Sequence, residues 1–214
     1  MRAAGSPPAR RRVVVLAGPS GAGKSRLSAR LHAAYGWPVV RLDDFYRDGD
    51  DPGLPTRELG GTAIADWDDP ASWNADAAVR ALERLVVTGS VEVPVYDIAR
   101  SAAAGTARID APSGAMVVAE GIFAAEIIGA LADSGILHSA WCVTHPRWVT
   151  FVRRLVRDLA ERRKPPLVLV RRGLALTRSE LELVQRMERL GATCASPSEV
   201  ERRLNGELQT LPRA

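Results

Sequence analysis

Residues 13–27 read VVVLAGPSGAGKSRL. The opening five residues are apolar and mostly β-branched, so they read as a short buried strand. The stretch KSRLSARLHAAYG places Leu27, Leu31 and Ala34 on one face and stops at Gly36, so it reads as a helix. Between them, Gly18, four residues, then Gly23-Lys24-Ser25 match the spacing G-x-x-x-x-G-K-[ST]. A strand, a glycine-rich turn and a helix form the context in which that spacing has physical meaning. Glycines let successive backbone N–H groups converge with no Cβ in the way, and the positive end of the helix stands behind them. Such a loop cradles phosphate. Gly18, Pro19, Ser20, Gly21, Ala22, Gly23, Lys24, Ser25 and Arg26 are therefore expected to hold a nucleotide, ATP, with Lys24 at the β- and γ-phosphates. The Ser25 hydroxyl is the expected first ligand of Mg²⁺.

The bulk composition agrees with one large domain. The chain has 214 residues, 46% hydrophobic and 25% charged, which allows a core of ordinary size. A net charge of +4 suits polyanionic metabolites and is too small to argue for nucleic acid. Aromatics are few, and the basic residues gather near the expected phosphate site, so neither nucleic acid nor membrane is expected as a partner. Cys142 and Cys194 match no metal spacing and read as two unlinked thiols in a reducing cytoplasm. Residues 1–12 are basic and read as a disordered tail, because VVVLA is too short for a signal core or a membrane span. Lys24 and Lys164 are the two lysines among 29 basic residues. A lysine kept in the glycine loop points to a task for a compact ammonium.

Along the chain, strands are expected at 38–42, 91–95, 115–119 and 138–143, alternating with helices. Asp69 and Pro70 read as N-cap and first turn of a helix ending near Thr88. Residues 47–66 read as a long loop, 96–114 as a hairpin or flap, and 122–135 as a helix closed by Gly135. The segment from 146 to 163 reads as an amphipathic helix with Phe151, Leu155 and Leu159 inward, and 166–190 as another helical stretch. ATCA reads as a last short strand, and Ser196 with Glu199 as the capping box of a final helix. The fold class is α/β: a mostly parallel sheet with helices on both faces. The tryptophans at 37, 73, 141 and 148 and the histidines at 32, 138 and 145 read as structural.

Acids fall where parallel strands end. RLDDFYR puts Asp43 and Asp44 beyond the second strand, beside the cradle and facing the γ-phosphate. A carboxylate there can accept a proton from an attacking hydroxyl and hold a metal-bound water. VVAEGIF puts Glu120 at another strand end, as an anchor for Mg²⁺ or as an acid suited to a helix N-terminus. Arginines 153, 154, 157, 162 and 163, with Lys164, crowd one helix. They form either a basic lid over the phosphates or a solvated face at a helix C-terminus.

Taken together, GPSGAGKS, LDDFYR, DWDDPASW, VPVYD, AEGIF and RRLVRDLAERR resemble the uridine kinase family of P-loop small-molecule kinases, in that family's order, over residues 13–164. The resemblance implies a P-loop NTPase fold over 13–214, with an acceptor-site insert at 47–70, a flap at 96–114 and a basic helical lid at 153–172. It implies Asp43 as general base on a sugar hydroxyl and Asp68 as a ligand of ribose hydroxyls. It implies Tyr46, Trp67 and Tyr96 around the acceptor, Glu120 in the magnesium network, and Arg157 and Arg162 as lid arginines, Arg157 also reaching the acceptor. Asp43 joins Ser25 and Glu120 in the expected metal set, and Lys24, Arg157 and Arg162 join Asp43 in the expected catalytic set. A carboxylate is too weak a base to strip a free alcohol, so its main service is orientation with late proton transfer. The chain departs from the family after its YD motif, where Arg100 and Ser101 stand and no histidine follows, and at Lys164, which replaces a second lid arginine.

The expected activity is transfer of the γ-phosphoryl group of ATP to a small-molecule hydroxyl, with a nucleoside such as uridine or cytidine leading. A kinase for another alcohol, such as pantothenate or a sugar phosphate, stays open; a basic lid suits an anionic acceptor. So does a nucleotide-gated binding protein without acceptor, although such a protein has no need of Asp43 and Asp68. Tetramers are common in the family, so the resemblance leaves room for a homo-oligomer.

Overall fold

The computed structural model describes residues 10–59, 61–144 and 181–210. Strand β1 (Arg12–Ala17) leads through the glycine loop into helix α1 (Lys24–Tyr35). Then follow β2 (Val39–Arg41), the hairpin β3 (Thr56–Leu59) and β4 (Thr62–Ala65), and α2 (Ala75–Thr88). A second hairpin, β5 (Ser90–Asp97) and β6 (Ala102–Asp110), precedes β7 (Met116–Glu120), α3 (Ile128–Asp133) and β8 (Leu137–Val143). Helix α4 is described over 181–189, and β9 (Thr193–Ala195) and α5 (Pro197–Thr210) close the chain.

The central sheet runs β2-β7-β1-β8-β9, all parallel. Alternation along β1 explains why it has a helix layer on each face. Val13, Val15 and Ala17 enter one cluster with Leu82 and Leu85 of α2 and Leu131 of α3. Val14 and Leu16 enter the other, with Leu27 and Leu31 of α1 and Val200 and Leu204 of α5. Strand β8 repeats the pattern, Cys142 on the first face and Trp141 and Val143 on the second. The expected α/β class is therefore observed. The β8–β9 register sets Cys142 opposite Cys194, both as free thiols that burial pushes up in pKa.

Helix ends follow local chemistry. Gly36 and Gly89 close α1 and α2 at φ 68 and 82, in the left-handed region where a side chain is disfavoured. Ser196 Oγ accepts the Glu199 N–H at 3.3 Å to start α5, while the Glu199 carboxylate turns to Arg202 and Arg203.

Several expectations need correction. Residues 47–66 contain the β3–β4 hairpin, because Thr56–Leu59 and Thr62–Ala65 pair antiparallel. Asp69 caps only a 3₁₀ turn, Pro70–Ser72; α2 starts at Ala75, where the Asn74 side chain accepts the Ala77 N–H at 3.0 Å. Residues 124–127 form a 3₁₀ turn, so α3 is shorter than expected. Ala34 is exposed. Arg11 and Arg12 belong to the domain: Arg12 opens β1, and the Arg11 guanidinium donates to Ala111 O, Pro112 O and Val86 O. Trp37, Trp73 and Trp141 are buried, and His32 and His138 bond to Trp37 O and Glu207. The segment containing the basic lid, His145 and Trp148 lies outside the described residues, as do residues 1–9. Among the described residues, no helix is long and apolar enough to cross a membrane.

Leu82 is fully buried between α2 and the sheet. Leu82→Ala is expected to lower unfolding free energy by about 2–5 kcal/mol in urea titration, through lost burial and a residual cavity.

Candidate functional site

The carboxyl ends of β1, β7 and β2 stand side by side, so whatever follows each strand meets its neighbours there. After β1 comes the glycine loop, with Gly18, Gly21 and Gly23 at positive φ. A Cβ on Gly18 would lie 2.5 Å from Val143 O, so the loop leaves the sheet through a gap that only glycine fits. Strand β7 ends on Glu120, with Gly121 next, and after β2 comes a 3₁₀ turn, Leu42–Phe45, carrying Asp43.

A cavity of about 320 Å³ opens at this edge, lined by Ser20, Gly21, Gly23, Lys24, Ser25, Arg26, Arg41, Asp43, Glu120 and Gly121. Most of the expected cradle residues thus face one space with the expected acids. Gly18, Pro19 and Ala22 are buried behind it and shape the loop. The Lys24 ammonium donates to Gly18 O at 2.7 Å and Pro19 O at 3.1 Å. Burial lowers its pKa, and the carboxylates of Asp43 and Glu120 oppose that shift. Asp43 Oδ1 accepts the Ile122 N–H at 3.2 Å, which fixes its carboxylate at the mouth of the cavity. A Cβ on Gly121 would lie 3.0 Å from that same Oδ1 and 2.9 Å from Leu42 Cβ. The glycine of AEG is therefore the space into which Asp43 fits.

Asp44 departs from expectation. It turns away from the cavity: its Oδ1 accepts the Tyr96 N–H at 3.1 Å, tying the turn to β5. The turn is held on its other side by the DDPASW segment. Trp73 Nε1 donates to Leu42 O at 2.6 Å, Arg47 N to Ser72 O and Asn74 N to Phe45 O, both at 2.9 Å, and Tyr46 bridges Trp73. The two motifs are one physical unit, in which a buried indole and main-chain bonds set the angle at which Asp43 is presented.

Tyr46 is the centre of an aromatic group beside that unit. Its ring lies 5.9 Å from those of Trp67, Tyr96 and Phe123. Burial and the nearby carboxylates of Asp43 and Asp68 push its phenol pKa well up, so it stays a neutral donor. The Tyr96 hydroxyl donates to Arg47 O at 3.0 Å. Asp68 stands exposed at the rim, 3.4 Å from Arg57 of β3, which also faces Asp66. None of Tyr46, Trp67, Tyr96 and Asp68 lines the cradle cavity; Asp43 is the link between the two groups. Arg157 and Arg162 lie outside the described residues.

Sequence reasoning missed Arg41 and Gly121. Arg41 ends β2 in register with Glu120 and lines the cavity, with Asp44 3.9 Å away. Alternation was the available signal: an arginine flanked by buried Val40 and Leu42 must point out of the sheet at its ligand edge.

The donor set fits nucleotide and magnesium. Helix α1 has no acid in its first turn, so its positive end is not neutralised from within. Among the described residues no three His, Cys, Asp or Glu side chains gather as a metal cage. One hydroxyl and two carboxylates, Ser25, Asp43 and Glu120, are what Mg²⁺ uses when phosphates and water complete its shell.

The profile described as the phosphoribulokinase/uridine kinase family matches residues 13–165. A uridine kinase of Deinococcus deserti is 30% identical over 172 residues, covering 78% of this chain and 77% of that protein. An inorganic pyrophosphatase of Arabidopsis thaliana, TTM2, is 31% identical over 156 residues, covering 72% of this chain but 21% of that much longer protein. A crystal structure described as a fructose transport system kinase from a Silicibacter species superposes with TM-score 0.56 at 22% identity, covering 88% of each chain, and shows the same fold.

Gly121→Ala is expected to displace the Asp43 carboxylate. The Ile122 amide should then exchange hydrogen faster, and overpacking should cost about 1–3 kcal/mol in urea unfolding. Unchanged Ile122 exchange would show that Asp43 does not depend on that space.

Proposed function

The chain belongs to the phosphoribulokinase/uridine kinase family, and on that premise we propose that it transfers the γ-phosphoryl group of ATP, with Mg²⁺, to a hydroxyl of a nucleoside. At the coarser level it is a P-loop kinase-type phosphotransferase for a small molecule. The observation that carries the finer reading is the place of Asp43, fixed at the mouth of the cradle cavity with the Tyr46 group directly behind it. A carboxylate so placed has a task when a hydroxyl is brought in line with the cradle. Tyr46, Trp67 and Tyr96 offer aromatic faces for a flat base, and Asp68 offers an acceptor for sugar hydroxyls.

Main-chain N–H groups of residues 20–25 and Lys24 would hold the phosphates of ATP, and Ser25, Asp43 and Glu120 would hold Mg²⁺. When bound, the cation neutralises charge on the phosphate oxygens. Asp43 accepts a hydrogen bond from the acceptor hydroxyl and takes its proton late. The new O–P bond forms as the bridging bond to the β-phosphate breaks, and ADP keeps the electron pair. Lys24 counters the charge that develops on the transferred group. Arg157 and Arg162, which lie outside the described residues, would add further positive charge for the transferred group.

A second reading, an anionic acceptor such as a sugar phosphate, is favoured by Arg41 in the cavity and Arg57 beside Asp68. ADP release over a panel of uridine, cytidine, pantothenate and sugar phosphates separates the two. Turnover with uridine or cytidine supports the first, and turnover with a sugar phosphate or pantothenate alone supports an acceptor with negative charge. Turnover with none sinks both and leaves a nucleotide-binding protein.

Asp43→Asn is expected to lower turnover by about 10²–10⁴-fold while ATP affinity persists in calorimetry. Lys24→Ala should weaken affinity and turnover together. Full turnover in Asp43→Asn would remove that carboxylate from the reaction.

A further inference from the structure

Glu120 is a buried acid, 7% exposed, and a carboxylate in that setting needs hydrogen-bond donors. The described structure provides one from an unexpected place. Ser28 lies on α1, one turn beyond Ser25, and is 2% exposed. Its Oγ is 2.9 Å from Glu120 Oε2 and 3.2 Å from Ser25 O. A serine hydroxyl has one proton to give. The carboxylate oxygen is nearer and carries charge, so it is the stronger acceptor. The serine carbonyl is already the kind of group an α-helix satisfies through its own ladder.

The consequence is directional. Oε2 of Glu120 is pinned to the helix that carries Ser25, while the residue also lines the cavity. The two candidate cation ligands, Ser25 on α1 and Glu120 at the end of β7, are thereby tied through Ser28, whose bond to Glu120 spans 92 positions of sequence. Without that tie, their spacing would follow from strand and helix packing alone.

We propose that Ser28 is a positioning residue for the divalent cation, holding the Glu120 carboxylate in the orientation that faces Ser25. The proposal rests on the phosphotransferase reading above and deepens it. Ser28 touches neither nucleotide nor acceptor in this role and acts through Glu120. A hydroxyl in the partner shell of a metal-ligating carboxylate fixes its rotamer, and loss of such a group commonly weakens metal affinity by about 10–100-fold.

The test uses the intact chain and a non-hydrolysable ATP analogue. Calorimetry measures analogue affinity without metal and across a Mg²⁺ titration. Ser28→Ala is expected to weaken Mg²⁺ by about tenfold or more while metal-free analogue affinity stays put. Ser28→Cys, near in size and a weak donor, should show the same loss and serves if the alanine variant unfolds. Ser28→Thr keeps the hydroxyl and should restore most of the affinity. Placed on a Glu120→Gln background, Ser28→Ala should add little further loss, because its effect passes through that carboxylate. Unchanged Mg²⁺ affinity in both Ser28→Ala and Ser28→Cys would overturn the proposal. So would a loss of the same size on the Glu120→Gln background, or an equal loss of metal-free affinity. Failure of the wild-type chain to bind the analogue with Mg²⁺ needs no variant to detect, and it would sink the phosphotransferase reading itself.

Discussion

A lysine ammonium half-buried among main-chain carbonyls needs negative charge nearby, and this fold has two carboxylates to supply it. Lys24 loses hydration on folding, and Asp43 and Glu120 counter that loss from the ends of two other strands. Neither acid is near Lys24 in sequence. The order β2-β7-β1 brings all three to one edge, since neighbouring strands stand about 4.8 Å apart and two steps span about 10 Å. The parallel sheet is therefore more than a scaffold for the glycine loop. It is the device that gathers one cation and two anions around a single cavity.

The same economy governs the turn after β2. Asp43 is worth little unless its angle is fixed, and three hydrogen bonds and one side-chain-free space fix it. Trp73 grips Leu42 O, Asp44 holds Tyr96, Ile122 donates to Asp43 itself, and Gly121 leaves room for the carboxylate. The loop at 47–51 also docks on the tip of the β5–β6 hairpin, where Ser101 takes φ 49 and its carbonyl accepts the Gly49 N–H at 2.6 Å. Arg100 and Ser101, which stand where the family places a histidine, are thus at a structural turn in this chain.

Much of this was legible in the residues. The loop announces itself because its glycines and lysine are contiguous, and a contiguous motif needs no partner to be recognised. The core strands were legible because a strand buried on both faces reads as an unbroken apolar run, as Val13–Ala17 and Met116–Ala119 do. The β3–β4 hairpin was not, since TREL and TAIA carry no apolar alternation that would announce a buried strand. The start of α2 was misplaced because Asp69-Pro70 is a sound local signal for any helical turn, and only packing of Trp73 against the core ends that turn and lets Asn74 cap the longer helix.

The sequence by itself determined the parallel α/β class, the glycine-rich P-loop and the identity of the acids at the ends of β2 and β7. Each of these depends on near neighbours or on hydrophobic period. Tertiary structure alone decided which acid faces the cavity. Asp43 and Asp44 are chemically equal in the chain and adjacent in it. They differ because Tyr96 and Ile122, dozens of residues away, each offer a backbone N–H to one of them. It likewise decided that Ser28 meets Glu120 and that Arg41 lines the site, since contacts of this range exist only once strand order has been set.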